Sequence, residues 1–334
     1  MKKLLVLPLI CSLFLIPITG CPKQEEASIG MAVEFNAHSA CAYISQDKDW
    51  YEQEGLELSA YETYATGMAL AAALARGDIG VAYICLVPAI NAYANAGVPI
   101  KIVAGTHKYG YGLVVNPDKV KTVSDLEKPG IRLGCIKEGG TVDVLMCKTI
   151  EKYNLDQDKI LANVQRMDPS KQVLAIKMGQ LDAAFLPEHW ATMAEESGFK
   201  MLLTSQDIWP EMQGSVLVVK QELIDNQPDV VRRLVAVSQK ATDWGNQNPN
   251  EAAEVMARQL QAAGGEFPAD APEGIAELEI TPEVMLRSMG RLEYTTDIDP
   301  QEVQSTIDYI AGLGYIKGSF NADDILDLRF LKGE

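Results

Sequence analysis

The chain has 334 residues, of which 47% are hydrophobic and 22% charged, so it can bury a sizeable core as two domains or one large one, and is neither disordered nor fibrous. Its formal net charge is −17, and its basic residues form no run longer than a pair such as Arg232-Arg233. This pattern argues against a surface that follows a phosphate backbone, and so against nucleic acid as a partner.

The first twenty residues have the pattern of an export signal. Two lysines open the chain, and the apolar stretch 4–18 that follows is too short and too interrupted by proline to predict a membrane span. It ends at Ile18-Thr19-Gly20-Cys21, which resembles the lipobox of bacterial lipoproteins. We therefore expect a signal peptide at 1–20, a lipid on the thiol of Cys21 and a tether at 21–28. An ordinary signal peptide with an incidental cysteine is the alternative.

Strand-like and helix-like segments alternate after this tether. They are, in order, a strand at 29–35, a helix at 39–51 that stops at Gly55, a strand at 56–61, a helix at 66–76 that ends at Gly77, and a strand at 79–84. Alternation of elements of these lengths predicts a parallel sheet.

A second series of the same kind follows. The stretch "PIKIVAGTHKYGYGLVV" predicts two strands separated by a polar, aromatic turn. The next segments are a short capped helix at 120–126, a strand at 131–135, and helices at 141–153 and 171–178. From Pro228 onward the pattern is mostly helical, with helices at 230–246, 250–262, 282–292 and 300–312, and a loop rich in Gly, Pro and Ala at 261–274.

One phrase occurs twice, as "ARGDIGVAYICLVPA" at 75–89 and as "KMGQLDAAFLPEHWA" at 177–191. Each phrase predicts the end of a helix, a glycine turn and then a strand. Ligands of open α/β sheets bind beyond the carboxyl ends of such strands. We expect the two endings, Cys85-Leu86-Val87 and Glu188-His189-Trp190, to face each other across a cleft. Chance recurrence of a common α/β phrase is the alternative.

Two further segments resemble each other, "GLVVN" at 112–116 and "SVLVVK" at 215–220. We interpret them as a pair of crossings between two lobes. The first lobe then comprises 29–112 plus 216–334, and the second 113–215.

Three segments carry a resemblance to a known family: "HSACAYISQDKDWYEQEGLEL", "ALARGDIGVAYICLVPAINAYANAGVPIKIVAG" and "AGLGYIKGSF". They resemble the substrate-binding proteins of ABC importers in the group that binds sulfonates, taurine, nitrate or thiamine precursors, and the resemblance covers residues 29–330. It implies an α/β, two-lobed periplasmic-binding-protein fold of type II, with two parallel-rich sheets and a hinge of two crossings. It also implies a monomer without a cofactor, in the periplasm or on the outer face of the cell membrane, that delivers a small molecule to a permease and its ATPase.

The chain departs from this family in the first strand–helix turn. Many relatives carry a histidine, then a proline, and then a helix that contains a lysine. Here those places hold Ser39, Cys41 and Gln46, and His38 stands one residue earlier. The departure leaves the fold expectation intact and the ligand open.

Helix N-termini carry unpaired N–H groups and a partial positive charge, so several of them aimed at one cleft would hold an anion without arginine. Candidate starts lie at Ser39, Thr66-Gly67 and Thr141, each of which has helix capping alone as its alternative. The full set of expected ligand-binding residues is Asn36, His38, Ser39, Thr66, Gly67, Cys85, Leu86, Thr141, Glu188, His189, Trp190 and Trp209.

For the other residues the alternatives are structural. The histidine would be a surface or packing residue, Glu188 would be solvated, and the tryptophans would belong to ordinary aromatic packing. A carboxylate beside an anion is unfavourable, so we expect Glu188 to point away, to pair with Lys137 or His189, or to accept an amine or ring N–H of the ligand. We expect a small, sulfonate-like organic anion. The alternatives are a nitrogen heterocycle such as a thiamine pyrimidine precursor, or nitrate or bicarbonate.

Six cysteines are present, and four remain once the one in the signal and Cys21 are set aside. We expect Cys41 and Cys85 to pair, and Cys135 and Cys147 to be packed thiols. The sequence has no paired CxxC and no CxxH spacing, so we do not expect a zinc site. Because the fold family includes a pyrimidine-precursor synthase and menaquinone-related enzymes, an enzyme is the remote alternative, with His38 and Cys41 or Glu188 and His189 as its reactive pair. We expect no catalytic residues.

Overall fold

The computed structural model describes residues 27–77, 79–265 and 279–332. The signal peptide expected at 1–20 and the lipid site expected at Cys21 lie outside these residues, as do most of the tether and of the loop at 261–274. Within the described ranges, no helix combines the length and the apolarity needed to span a bilayer.

Strands and helices alternate through the first two thirds of the chain, and helices dominate the rest. The strands are β1 (Ala27–Glu34), β2 (Leu56–Tyr64), β3 (Val81–Cys85), β4 (Ile100–Gly105), β5 (Lys108–Tyr109), β6 (Tyr111–Val115), β7 (Leu133–Cys135), β8 (Val164–Arg166), β9 (Ala183–Pro187), β10 (Lys200–Thr204), β11 (Ser215–Lys220) and β12 (Leu292–Glu293). The helices are α1 (Ala40–Asp47), α2 (Trp50–Gln53), α3 (Gly67–Arg76), α4 (Leu86–Ala96), α5 (Thr141–Lys152), α6 (Gln157–Asn163), α7 (Pro169–Lys177), α8 (Glu188–Glu196), α9 (Ser205–Ile208), α10 (Gln221–Asn226), α11 (Pro228–Gln247), α12 (Pro249–Gly265), α13 (Pro282–Met289) and α14 (Pro300–Gly312).

The strands form two five-stranded sheets and one small ladder. The first sheet has the order β2-β1-β3-β11-β4, the second has the order β10-β6-β9-β7-β8, and β12 pairs with β5. In the first sheet β1 is parallel to β2 and β3, and β11 is antiparallel to both of its neighbours. In the second sheet β7 is parallel to β8 and β9, and β6 is antiparallel to both of its neighbours. The prediction of an α/β protein with two sheets is confirmed, and each sheet is mixed, with two parallel and two antiparallel pairings.

Local sequence signals account for most of these elements. The central strands β3 and β9 are fully buried apolar runs, as strands covered on both faces are. The helix predicted at 66–76 is α3, where Thr66 Oγ1 accepts a hydrogen bond from the backbone N–H of Ala69 over 3.3 Å. It ends at Gly77, whose φ of 102° lies in the left-handed region that suits glycine.

Two expectations about helices were wrong or incomplete. The single helix predicted at 39–51 is broken, because Asp49 adopts a left-handed φ of 55° between α1 and α2. The sequence analysis also did not predict α4 and α8, which begin at the residue directly after β3 and β9. Both endings of the repeated phrase are therefore first turns of helices.

The segments 112–116 and 215–220 are not themselves the crossings. They lie within β6 and β11, which are interior strands of the two sheets. The chain passes between the sheets just before each of them, at 106–110 and at 209–214.

These two passages pack against each other. The backbone N–H of Ser215 donates to His107 Nε2 over 3.0 Å, and a Cβ atom on Gly214 would lie only 2.1 Å from His107 Cε1. Glycine at 214 is what allows this close approach.

The predicted pairing of Cys41 with Cys85 is wrong. The four cysteines within the described residues are free thiols. Cys41 packs in the core formed by α1, α11 and α12, whereas Cys85 packs with Tyr111 in the core of the second sheet. Cys41, in the helix after β1, and Cys85, at the end of β3, thus face different cores.

Candidate functional site

A cavity of about 260 Å³ lies where the carboxyl ends of the parallel strands of both sheets meet. β1, β2 and β3 contribute their ends from one side, and β7, β8 and β9 theirs from the other. The lining residues are Glu34, Phe35, Asn36, Ala65, Thr66, Gly67, Met68, Ala69, Cys85, Pro88, Tyr111, Ile136, Lys137, Gly140, Thr141, Val142, Asp168, Pro169, Pro187 and Trp190. This is the position at which open α/β sheets bind their ligands.

Half of the expected site residues lie in this lining. The structure brings together Asn36, Thr66, Gly67, Cys85, Thr141 and Trp190. They come from both sheets, so the two copies of the repeated phrase do meet across one cavity, through Cys85 of the first and Trp190 of the second.

The other six are placed elsewhere. Ser39 and Leu86 are buried, and Trp209 packs edge to face on Tyr309 with ring centroids 5.3 Å apart. The remaining three, His38, Glu188 and His189, are also buried and do not line the cavity.

Glu34, which the sequence analysis missed, ends β1 and lines the cavity with only 6% of its surface exposed. The backbone N–H of Cys85, at the start of α4, donates to Glu34 Oε2 over 3.1 Å. Burial raises the pKa of this carboxyl, and hydrogen bonds from Cys85 and from the backbone of Gly67 act in the opposite direction. The signal in the sequence was a glutamate at the end of an otherwise apolar buried strand.

Gly67 gives this carboxyl its room. A Cβ atom at 67 would lie 2.7 Å from Cγ of Pro88 and 3.0 Å from Glu34 Oε2. The start of α3 can therefore approach both the carboxyl and α4 only because residue 67 has no side chain.

The opposite side of the cavity is formed by the start of α5. Thr141 is the first residue of this helix, and its hydroxyl oxygen Oγ1 is buried and has no hydrogen-bond partner among the described residues. The preceding loop is held by Asp143, which accepts from the backbone N–H of Gly139 over 2.9 Å and from the hydroxyl of Tyr315 over 2.6 Å. Arg166 also donates to Asp143. These bonds to Asp143 fix the start of α5, and with it the position of the Thr141 hydroxyl.

Phe35 and Trp190 are two aromatic members of the largely apolar lining. Their ring centroids lie 5.8 Å apart. The ring of His189 lies next to them, 5.9 Å from Phe35 and 4.4 Å from Trp190, and burial lowers its pKa to about 3. This imidazole is therefore neutral and packs as part of an aromatic cluster.

His38 belongs to a buried polar cluster behind the cavity wall. Its Nε2 lies 2.7 Å from the carbonyl oxygen of Gly110, which can only accept, so Nε2 carries the proton. Its Nδ1 lies 3.8 Å from Cys85 Sγ, and the hydroxyl of Tyr111 donates to that sulfur over 3.2 Å. Burial lowers the pKa of His38 to about 4 and raises that of Cys85, so both groups are neutral.

Glu188 is paired with a residue that the sequence analysis did not consider. Its Oε1 lies 3.0 Å from Arg291 Nη1 and accepts from the hydroxyl of Thr192 over 2.8 Å. Burial raises its pKa to about 7, and Arg291 and Thr192 oppose that shift. Of the three alternatives expected for Glu188, the structure agrees with the first, that it points away from the cavity, and its partners are not Lys137 or His189.

Three ionisable acid or base side chains line the cavity. Glu34 and Asp168 are acids and Lys137 is a base, and no arginine is part of the lining.

Comparison with known proteins agrees with this architecture. The sequence profile of the NMT1-like family matches residues 22–261. Proteins of Brucella abortus and Brucella suis that carry only the provisional name of a binding protein are 25% identical over 278 residues, which are 82% of this chain and 84% of theirs.

Three solved structures share the fold. The ligand-binding component of an ABC-type import system from Staphylococcus aureus, with zinc bound, has a TM-score of 0.74 at 19% identity and covers 92% of this chain and 98% of its own. The alkanesulfonate-binding protein of Xanthomonas axonopodis, bound to MOPS, has a TM-score of 0.72 at 15% identity, over 90% of this chain and 98% of its own. The periplasmic nitrate-binding protein of Synechocystis has a TM-score of 0.75 at 14% identity, over 92% of this chain and 88% of its own. The two-lobed periplasmic-binding-protein fold is thereby confirmed.

Proposed function

We propose that this chain, which belongs to the NMT1-like family, is the solute-binding component of an ABC importer and captures a small organic acid in the cavity between its two sheets. The observation that carries the proposal is the buried, unpartnered hydroxyl of Thr141 at the start of α5, in a cavity lined from both sheets. A buried hydroxyl without a partner is costly, and a bound acid group would supply the missing hydrogen bond.

The size and lining of the cavity favour a small molecule with a carbon skeleton. A volume of about 260 Å³ is small among ligand sites. Phe35 and Trp190 offer apolar surface that a bare inorganic anion such as nitrate or bicarbonate would leave uncovered. A sulfonate or carboxylate on a short chain would use both parts of the lining.

A nitrogen heterocycle is the second candidate. A flat ring would contact the apolar lining around Phe35 and Trp190 at its edge, and Glu34 would accept a hydrogen bond from a ring or exocyclic N–H. An aminopyrimidine has both features.

Transport rather than catalysis is supported by the protonation states of the reactive side chains. His38 lies near Cys85 rather than Cys41, and burial keeps both the imidazole and the thiol neutral, so they form no activated pair. Glu188 and His189 have separate partners and do not line the cavity.

The remaining parts of the proposal concern the whole chain. Cys21 anchors the protein through a lipid to the membrane, on the periplasmic or outer face, and the chain acts as a monomer that meets a permease and its ATPase. The two lobes, expected from the sequence at 29–112 plus 216–334 and at 113–215, meet instead just before β6 and just before β11. The passages 106–110 and 209–214 form the hinge on which the lobes close over the ligand.

A thermal-shift screen of the purified protein tests the proposed function. The panel contains alkanesulfonates, amino-sulfonates, short carboxylates, aminopyrimidines, nitrate and bicarbonate. Ligand that binds the native state raises the melting temperature, and we expect organic acids to do so in a saturable way. If nitrate or bicarbonate alone stabilises the protein, the organic-acid proposal is wrong.

A further inference from the structure

We propose that the ligand is an amine-bearing organic acid, with its acid group at Thr141 and its N–H donor at Glu34. This inference rests on the proposed function and names the ligand class of the same cavity. It follows from the different groups that the two sides of the cavity present.

On one side, a carboxyl of the protein already occupies the helix starts that an anion would use. Glu34 accepts from the backbone N–H of Cys85 at the start of α4 and from that of Gly67 at the start of α3. The partial positive charges of these two helices are therefore directed at Glu34. An anionic group of a ligand at this end would meet a like charge.

On the other side, the carboxyl at the helix start, that of Asp143, is held by Gly139 and Arg166 and does not line the cavity. α5 is twelve residues long, and Thr141 at its first position lines the cavity with an unpartnered, buried hydroxyl. Lys137 lines the same side and supplies an ammonium group, and the carboxyl of Asp168, at the start of α7, also lies on this side. Backbone N–H groups, a hydroxyl and an ammonium group together suit a sulfonate or a carboxylate.

The carboxyl of Glu34 also leaves a place for a cationic partner. Within the described residues no ion pair involves Glu34, and Asp168 adds a second acid to the lining. Burial raises the pKa of Glu34 by more than the hydrogen bonds from Cys85 and Gly67 lower it. An ammonium group, or another cationic N–H donor, would stabilise the charged form of Glu34. A ligand with both an acid and an amine complements both sides at once.

Matched pairs of probes test the inference by titration calorimetry. Taurine is compared with propane-1-sulfonate, and β-alanine with butyrate, because in each pair a methyl group replaces the ammonium group. The wild type should bind the amine-bearing member of at least one pair about tenfold more tightly or better, the usual contribution of a charge-assisted hydrogen bond. In Glu34→Gln this preference should fall to near one. The glutamine keeps an oxygen that can accept from Cys85, so the fold should persist.

Glu188→Gln is the matched control, since it removes a buried carboxyl of the same size that does not line the cavity. It should leave the preference unchanged. Equal binding of both members of each pair by the wild type, or an unchanged preference in Glu34→Gln, would overturn the inference and leave the proposed function standing. If none of the four acids binds at millimolar concentration, both the inference and the organic-acid function are wrong.

Discussion

The backbone N–H of Cys85 donates a hydrogen bond to Glu34 Oε2 over 3.1 Å and joins the start of α4 to the end of β1. A carboxyl of the protein thus stands at the point where the first sheet would otherwise offer its helix starts to an anion. At the start of α5 the carboxyl of Asp143 is held by Gly139 and Arg166 and does not line the cavity, whereas Thr141 lines it and is buried without a partner among the described residues. The two sides of the cavity are therefore chemically unequal.

Thr141→Val should weaken ligand binding without weakening the fold. The substitution keeps the branched shape and removes a hydroxyl that has no partner within the described structure, so the free energy of unfolding should change little. Affinity for an organic acid should fall about tenfold or more, because a hydrogen bond to a charged group contributes on the order of 1.5–3 kcal/mol. Calorimetry and chemical denaturation measure the two quantities.

Thr149→Val is the control for that substitution. Its hydroxyl donates to the carbonyl of Leu145 over 2.8 Å in the same helix, and Thr149 does not line the cavity. It should lower stability modestly and leave affinity unchanged. Wild-type affinity in Thr141→Val would remove the observation on which the proposed function rests.

The pair Glu188 and Arg291 should make stability depend on pH. In the folded state the pKa of Glu188 is raised from 4.5 to about 7, so the folded chain holds a proton that the unfolded chain has released between these values. Its contribution to stability is therefore full below pH 4.5 and is lost as the pH rises through 7. Glu188→Gln should remove this part of the pH dependence.

Removal of Arg291 should make the stability of the protein depend more strongly on pH. Arg291→Gln takes away the cation that opposes the rise in the pKa of Glu188, so the variant should lose about 3 kcal/mol of stability at pH 8, and clearly less at pH 5. Denaturation at the two pH values measures the difference. The double variant Glu188→Gln and Arg291→Gln should lose stability equally at both. An equal loss at pH 5 and pH 8 in Arg291→Gln itself would contradict the assignment.

Ligand should draw the two lobes together. His107 and Ser215 connect the passages 106–110 and 209–214, so a small change at this contact would reorient one sheet relative to the other. Small-angle scattering should give a smaller radius of gyration with saturating ligand than without it. An unchanged radius, with binding shown independently, would rule out a hinge at these passages.

Cys21 should carry the lipid. Radiolabelled palmitate fed to expressing cells should enter the wild-type protein and be absent from Cys21→Ser. Cys41→Ser is a suitable control, because Cys41 is a buried thiol in the folded chain. Equal labelling of Cys21→Ser and the wild type would show that the resemblance to a lipobox is incidental.

The elements that sequence reasoning predicted well are those with local causes. Thr66 caps α3 and Gly77 ends it, and both roles depend only on neighbouring backbone. The buried strand β9 follows from an unbroken apolar run. Signals of this kind located the cavity at the ends of the correct strands.

Side-chain directions at the same strand ends could not be predicted. Because α8 begins directly after β9, Glu188 and Trp190 are about 200° apart around a helix, and only Trp190 lines the cavity. The partner of Glu188 is Arg291, which is distant in the sequence, so no local pattern indicates the pair. Glu34 was missed for a similar reason, since its burial depends on the starts of two later helices.

A crystal structure of the protein with the tightest-binding organic acid of the screen tests the central claim most directly. We predict density for the ligand between the two sheets, with its acid group within hydrogen-bond distance of Thr141 Oγ1 and its carbon skeleton against Trp190. Density for a tightly bound ligand at any other place, or in this cavity but with Thr141 still unpartnered, would contradict the account.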